Sequence, residues 1–177
     1  NIEPISSFWI KNYKYNMVEF DCTNYSYTFN YYWHNDIFRR KIYQPFSEFK
    51  WISNVDFTIV QGWDMLPKTG GDILIVTSSY KDAGTIMCNL THDSIGKQIY
   101  AVAPNNEETF LPLSVFEKLK SRWKYIFLWY DNDFTKENNV GVKRSIAISN
   151  EFNIPWLTTP DGTHKDPSDF RHMRGKD

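Results

Sequence analysis

The hydrophobic pattern of the chain changes near residue 70. From Asp72 onward, short continuous apolar runs alternate with amphipathic stretches; the runs lie at residues 73–77, 99–103, 125–130 and 155–158, and the stretches at 81–90, 113–122 and 141–152. Continuous apolar runs are typical of strands buried on both faces, and the stretches between them have helical spacing. The alternation predicts an α/β fold with a parallel sheet, right-handed crossovers and flanking helices.

The first part of the chain is rich in Tyr, Phe and Trp and lacks this alternation. Its runs at residues 25–29, 37–43 and 50–54 predict short strands and hairpins. Pro67 and the pair Gly70-Gly71 are typical of a boundary between two parts of a chain. We therefore expect a smaller, aromatic-rich α+β lobe at residues 1–70 and an α/β domain at residues 71–177.

Composition narrows the class of protein. The chain has 177 residues, of which 41% are hydrophobic and 23% charged, and no apolar run approaches the roughly 18 residues that a membrane span needs. The net charge of −1 means that nucleic acid could be bound only by a local basic patch. Cys22 and Cys88 form no C-x-x-C pair, which argues against a zinc site and a disulfide framework and favours a reducing, cytoplasmic setting. Because the chain begins at Asn1, we expect it to be a piece of a longer protein.

The strongest chemical signal is a pair of carboxylates directly after the third apolar run. Asp131 and Asp133 are two residues apart, so in extended backbone both side chains face the same side. Two such anions repel each other unless a cation lies between them, and Mg²⁺ or Mn²⁺ is the oxygen-binding ion that fits. An ordinary solvated turn after a strand explains the same pattern about equally well.

Two further polar segments follow apolar runs. Asp166 and Asp169 could join the metal site, but Asp166 or Ser168 as a cap, with Pro167 in first helical position, would also make a normal helix start. The segment 77–82 could hold a phosphate on its backbone N–H groups, or Ser79 could simply cap the following helix.

These segments together resemble a known family. The runs ILIVTSSYKDA, YIFLWYDND followed by Gly141, and DGTHKDPSDF resemble the TOPRIM domain of bacterial and phage primases, in the same order and at the ends of predicted strands. The upstream segments RRKIYQPFSEFKWISN and VQGWDMLP resemble the smaller N-terminal lobe of the same primase core. The resemblance implies a nucleotidyltransferase that makes short RNA primers on single-stranded DNA with Mg²⁺ or Mn²⁺. It implies a template, ribonucleoside triphosphates and a replicative helicase as partners, in the host cytoplasm if a phage encodes the protein.

The resemblance also implies roles for individual residues. Asp131, Asp133 and Asp166 would bind the metal, with Asp169 nearby, and Asp82 matches the acid of the motif in the first helix. Asp131, Asp133 and Asp82 would be the catalytic residues. The basic residues that would touch template or nucleotide are Arg39, Arg40, Lys41, Lys50 and, unless it pairs with Asp82, Lys81.

The chain departs from the family in two places. Ser78 stands where the first TOPRIM motif usually has a glutamate, and serine is neither a base at neutral pH nor a strong metal ligand. Glu107 and Glu108 are the nearest acids that could substitute, and residues 134–140 lengthen the loop after Asp133. Two other functions are therefore open: a metal-dependent nuclease on the TOPRIM scaffold, or a catalytically degenerate domain that binds DNA or docks a helicase.

Overall fold

The computed structural model describes residues 2–11, 14, 16–34, 37–55, 58–90, 97–106, 109, 111–159 and 164–174. The chain forms two compact units, Asn1–Asp56 and Phe57–Asp177. None of the helices in these ranges is both long and apolar enough to cross a membrane.

The described residues of the first unit form strands and turns, and they contain no helix. The prediction of an α+β lobe is therefore wrong for this part of the chain. Its strands are β1 (Ile2–Pro4), β2 (Ser7–Lys11), β3 (Met17–Asp21), β4 (Tyr27–His34), β5 (Ile37–Tyr43) and β6 (Trp51–Ser53). Four of them form an antiparallel sheet in the order β1-β4-β5-β6, and β2 pairs with β3 separately. The run at residues 37–43 is confirmed as β5 with the predicted bounds.

The second unit contains the alternating elements that the apolar runs predict. Its elements are β7 (Val60–Gln61), a 3₁₀ turn (Trp63–Met65), β8 (Gly71–Thr77), α1 (Tyr80–Leu90), β9 (Ile99–Pro104), α2 (Leu113–Arg122), β10 (Trp123–Trp129), α3 (Val140–Phe152) and α4 (Pro167–Arg174). The strand order is β10-β8-β9-β7. β8 is parallel to both β10 and β9, whereas β7 is antiparallel to β9, so the sheet is mixed rather than wholly parallel.

β7 also explains why the structural division lies earlier than residue 70. Ile59 and Val60 are buried, and Val60 pairs with Pro104 at the edge of the second unit's sheet. Gln61 donates a side-chain hydrogen bond to the Pro104 carbonyl. The segment before Gly70 therefore belongs to the α/β unit, although its composition is similar to that of the first part.

The core lies on both faces of the sheet because side chains alternate along each strand. On one face Leu74 and Val76 pack with residues of α2 and α3, among them Phe116 and Ile148. On the other face Ile75 packs with α1 through Ala83 and Ile86. Burying both faces leaves the edge formed by the carboxyl ends of β8 and β10 as the place for polar groups.

Two local predictions are wrong. The expected strand at residues 155–158 is a single parallel bridge between Trp156 and Leu128, with one backbone hydrogen bond on each side of it. The expected cap Ser114 lies inside α2, which begins after Pro112 without a side-chain cap. Proline at that position is compatible with a helix start because the first helical N–H groups have no intrahelical acceptor.

Candidate active site

The candidate site lies at the carboxyl ends of β8 and β10. These strands are neighbours and parallel, with Thr77 opposite Trp129, so the residues that follow them emerge at the same edge. Ser78 follows β8 and Asp131 follows β10. The segment around Asp166 is attached to this edge because the N–H of Asn132 donates to the Lys165 carbonyl at 2.6 Å.

Three carboxylates meet at this edge. Oxygen atoms of Asp82, Asp131 and Asp166 all lie within 4.8 Å of one another. The three residues are only 1%, 7% and 4% exposed, respectively. Buried carboxylates this close are costly unless cations or hydrogen-bond donors compensate them. Accordingly, burial raises the pKa of Asp82, and the Asp166 charge adds to that rise, although hydrogen bonds from Ser168 and Ser79 oppose it.

Serine hydroxyls surround the carboxylate of Asp82. Ser168 donates to its Oδ1 at 2.6 Å, and Ser79 donates to its Oδ2. The Asp82 N–H donates back to Ser79 Oγ at 3.2 Å, which confirms Ser79 as the cap of α1. Ser78 lies between two of the acids: it donates a short hydrogen bond to Asp131, and its Oγ is 3.5 Å from Asp82 Oδ2.

Asp166 serves both as a helix cap and as a member of the cluster. Its Oδ1 accepts the Asp169 N–H at 2.7 Å, and Pro167 begins α4, as the capping interpretation predicts. Its Oδ2 accepts from Lys81 Nζ at 3.1 Å. One carboxylate therefore begins a helix and contributes charge to the site, so the two interpretations of this motif are compatible.

Two lysines compensate the cluster. Lys81 Nζ lies 3.1 Å from Asp166 Oδ2 and 3.9 Å from Asp82 Oδ1. Lys165 Nζ lies 2.7 Å from Asp131 Oδ2 and 3.6 Å from Asp133 Oδ1. Burial alone would lower the pKa of Lys81, but the Asp82 and Asp166 carboxylates outweigh it and hold the pKa above its usual value.

Asp133 lies outside the group of three acids. Its carboxylate pairs with Lys136 Nζ at 3.0 Å and shares Lys165 with Asp131. Partial burial raises its pKa, but Lys136 and Lys165 outweigh that effect and leave the pKa below the usual value. Asp131 and Asp133 both contact one cation, the ammonium of Lys165, although only Asp131 belongs to the three-acid cluster.

Asp169 is also outside the group. Together with Asp133 and Lys165 it lines a cavity of about 350 Å³, whose wall also includes Asn132, His164 and His172. Asp133 and Asp169 therefore line one cavity, which Lys165 connects to the three-acid cluster through its contact with Asp131.

Gly141 explains the close packing behind Asp131. A Cβ atom at this position would lie 2.0 Å from the Asp131 carbonyl oxygen, so only glycine permits the first turn of α3 to pass there. The lengthened loop before it is tied to the same edge, since Asn139 caps α3 and donates to Asn132 Oδ1 at 2.7 Å.

The basic residues predicted to touch template or nucleotide in the first unit contact other residues of that unit or are exposed. Arg39 Nη1 donates to the Asn54 carbonyl at 2.6 Å, and the Arg40 N–H donates to Asn54 Oδ1 at 2.7 Å. Lys41 Nζ lies 4.4 Å from the centre of the Trp51 ring, and burial lowers its pKa. Lys50 is exposed. Glu107 and Glu108, the expected substitutes for the missing glutamate, lie outside the described residues.

Sequence reasoning missed two contacts of this site. It assigned no role to Lys165, and it considered Ser168 only as a cap, although Ser168 binds Asp82. The only available signal was that both residues lie within two positions of Asp166 in the chain. The direction of each side chain depends on the turn that begins α4, which the sequence pattern does not specify.

Comparison with known proteins supports a relationship in fold. No protein-family model matches the chain, and no curated protein matches its sequence. The fold is similar to a chain in a solved assembly of bacteriophage T7, in which the lagging-strand DNA polymerase interacts with primase domains of two gp4 subunits bound to an RNA/DNA hybrid and dTTP. The match has a TM-score of 0.57 and 15% identity, and it covers 85% of this chain and 71% of that one. The comparison thus shows a similarity in fold to a chain of that phage assembly.

Proposed function

We propose that the chain is the catalytic core of a TOPRIM-type DNA primase, which synthesises short RNA primers on single-stranded DNA during phage replication. The observation that carries this proposal is the buried cluster of Asp82, Asp131 and Asp166 at the carboxyl ends of parallel strands. The similarity in fold to a phage primase assembly supports the same function.

The donor set of the cluster fits a hard divalent ion. Its potential ligands are carboxylate oxygens, which suit Mg²⁺ or Mn²⁺ and not the softer metals. Asp131 and Asp166 would hold the ion together with Asp82, and Asp133 and Asp169 would face the adjoining cavity. When bound, such an ion supplies Lewis acidity and orients the triphosphate for in-line displacement by a 3′-hydroxyl.

The chain's own residues orient the ligands. Ser78 fixes Asp131, whereas Ser79 and Ser168 fix Asp82, so the carboxylates are held before any ligand arrives. Lys81 contacts Asp166, and 60% of its side chain is accessible, so it would meet the phosphate oxygens of a nucleotide. The neighbouring acids favour its protonated form, since Asp82 and Asp166 outweigh burial and raise its pKa.

The first unit would contact template and nucleotide. Lys41, Tyr43 and Trp51 share one face of the β5–β6 pair, because residues 41 and 43 alternate with buried Ile42 and Tyr43 pairs with Trp51. A face that combines cations with exposed aromatic rings is suited to single-stranded nucleic acid, whose bases stack on the rings while phosphates meet the charges. Arg39 and Lys50 would extend this interaction, whereas Arg40 alternates with Lys41 along β5 and would face the other side.

Primer synthesis tests the proposal. The chain should extend ribonucleotides on single-stranded DNA with Mg²⁺ or Mn²⁺, and Asp131→Asn should abolish product. Glu117→Gln, which removes an exposed carboxylate from α2, is the matched control and should retain activity. Absence of product from the unmodified chain with both metals, on several templates, contradicts the proposal.

A non-catalytic module is the second candidate, and Ser78 favours it. A neutral hydroxyl occupies the position between Asp82 and Asp131 where the resemblance leads us to expect a glutamate. If this candidate is correct, the chain binds single-stranded DNA but makes no primers, and Ser78→Glu creates activity. Activity of the unmodified chain rules it out.

A further inference from the structure

Lys165 occupies the place of a cation at the candidate site. Its Nζ is 2.7 Å from Oδ2 of Asp131, one of the three carboxylates that a divalent ion would use as ligands. An ion bound by Asp131 would lie about 2 Å from its carboxylate, and the ammonium and the ion would then repel each other at short range. The two cations therefore compete for Asp131 unless an additional anion lies between them.

Lys165 and Lys81 differ in the carboxylates that they contact. Both contacts of Lys81 are with members of the three-acid cluster, Asp166 and Asp82. The second contact of Lys165 is Asp133, which is outside the cluster. Lys165 can thus turn away from Asp131 while a carboxylate still compensates its charge.

There is also space for this movement. Lys165 lines the cavity of about 350 Å³, and 40% of its side chain is accessible. Asn132, Asp133 and Asp169 line the same cavity, so its wall offers acceptors for the ammonium once it leaves Asp131. The long, flexible side chain of lysine allows its ammonium to move from Asp131 into the cavity without a change in the backbone.

We propose that Lys165 is an exchangeable counter-ion, which pairs with Asp131 in the metal-free protein and transfers to the triphosphate of the incoming nucleotide when the metal binds. This inference rests on the proposed function. It means that Lys165 opposes binding of a free divalent ion and favours binding of nucleotide with the ion. Metal and nucleotide then bind cooperatively. The metal releases Lys165 from Asp131 so that it can bind the triphosphate, and the triphosphate holds Lys165 away from the metal.

The test measures two affinities by calorimetry, namely Mn²⁺ alone and then ATP at saturating Mn²⁺, with no template present. Lys165→Met keeps the stem and removes the charge. It should bind Mn²⁺ at least about fivefold more tightly than the unmodified chain and ATP at least about fivefold more weakly. Lys136→Met removes the other partner of Asp133 and is the matched control, with both affinities unchanged. Lys165→Arg keeps the charge and should retain the weak Mn²⁺ binding.

The opposite signs of the two changes distinguish this role from a structural one. If Lys165→Met weakens Mn²⁺ binding, or leaves it unchanged, the inference is wrong. The proposed function fails separately, if the unmodified chain shows no Mn²⁺ binding in the presence of ATP that Asp131→Asn removes. A thermal melt of each variant establishes that it is folded, and if Lys165→Met is unfolded, Lys165→Gln is measured in its place.

Discussion

The hydroxyl of Ser78 donates a hydrogen bond to the carboxylate of Asp131, across the edge formed by β8 and β10. A neutral donor at this position lowers the cost of burying three carboxylates together, because it stabilises one of them without adding charge. The chain therefore has a three-acid site with a hydroxyl between two of the acids, Asp131 and Asp82.

Ser78→Glu tests this balance. A fourth carboxylate in a buried cluster should destabilise the metal-free protein by roughly 1–3 kcal/mol, the usual cost of an uncompensated buried polar group. Mn²⁺ should restore stability, and it should raise the melting temperature of the variant more than that of the unmodified chain. Thermal melts with and without Mn²⁺ measure both effects. An equal metal-induced rise in the two proteins would contradict the placement of Ser78 in the metal site.

Substitutions can separate the two roles of Asp166, which caps α4 and contributes negative charge to the cluster. Asn at this position still caps α4 but carries no charge, whereas Ala removes both the cap and the charge. We expect Asp166→Ala to be about 1 kcal/mol less stable than Asp166→Asn, and both to lose primer synthesis. Urea denaturation and a primer assay measure the two quantities. Retained synthesis in Asp166→Asn would show that only the cap matters.

The stability of the protein should depend on pH through Asp82. Burial raises the pKa of Asp82 in the folded protein above its ordinary value of 3.8, so the folded state binds more protons than the unfolded state just above that pH. Stability contributed by this group is present below pH 3.8 and is lost as pH rises through the folded pKa. Urea denaturation from pH 4 upward, compared with Asp82→Asn, should show this decline in the unmodified chain. The same decline in the variant would assign it to another group.

The exposed face of the β5–β6 pair should bind single-stranded DNA. Trp51 is 50% exposed and lies beneath Lys41, so Trp51→Ala should cost about 1–3 kcal/mol of binding energy through lost stacking. Trp9→Ala is the matched control, because it removes an exposed tryptophan from the β2–β3 hairpin. Fluorescence anisotropy of a labelled oligonucleotide measures the affinities. If the control variant loses as much affinity as Trp51→Ala, this face has no special role.

The elements with strong local signals were predictable from the sequence. Continuous apolar runs identified β8, β9 and β10, because strands buried on both faces tolerate few polar residues. β7 has only two residues and no alternation to detect, so its antiparallel pairing with β9 was not predictable. The apolar run at residues 155–158 was misleading, since it contacts Leu128 through one bridge only.

The location of the site was also predictable, because its acids follow strands that the sequence identifies. Polar groups gather at the carboxyl ends of parallel strands, and this rule correctly predicts that Asp131 and Asp166 lie close together. The prediction that Asp133 faces the same side as Asp131 holds only if the backbone between them is extended. The chain turns after β10, where the Phe134 N–H donates to the Asn132 carbonyl at 2.8 Å. Asp133 therefore joins Lys136 and the cavity instead of the cluster. The position of Lys165 depends on contacts between distant segments, which local spacing does not encode.

The most direct test of the account is a crystal structure of the chain grown with Mn²⁺ and a ribonucleoside triphosphate, with the ion located by its anomalous scattering. We predict an Mn²⁺ peak within about 2.5 Å of carboxylate oxygens of Asp131 and at least one of Asp82 and Asp166, with Lys165 turned away from Asp131. A peak held by other side chains, or density that leaves the three carboxylates in contact with lysines alone, would contradict it.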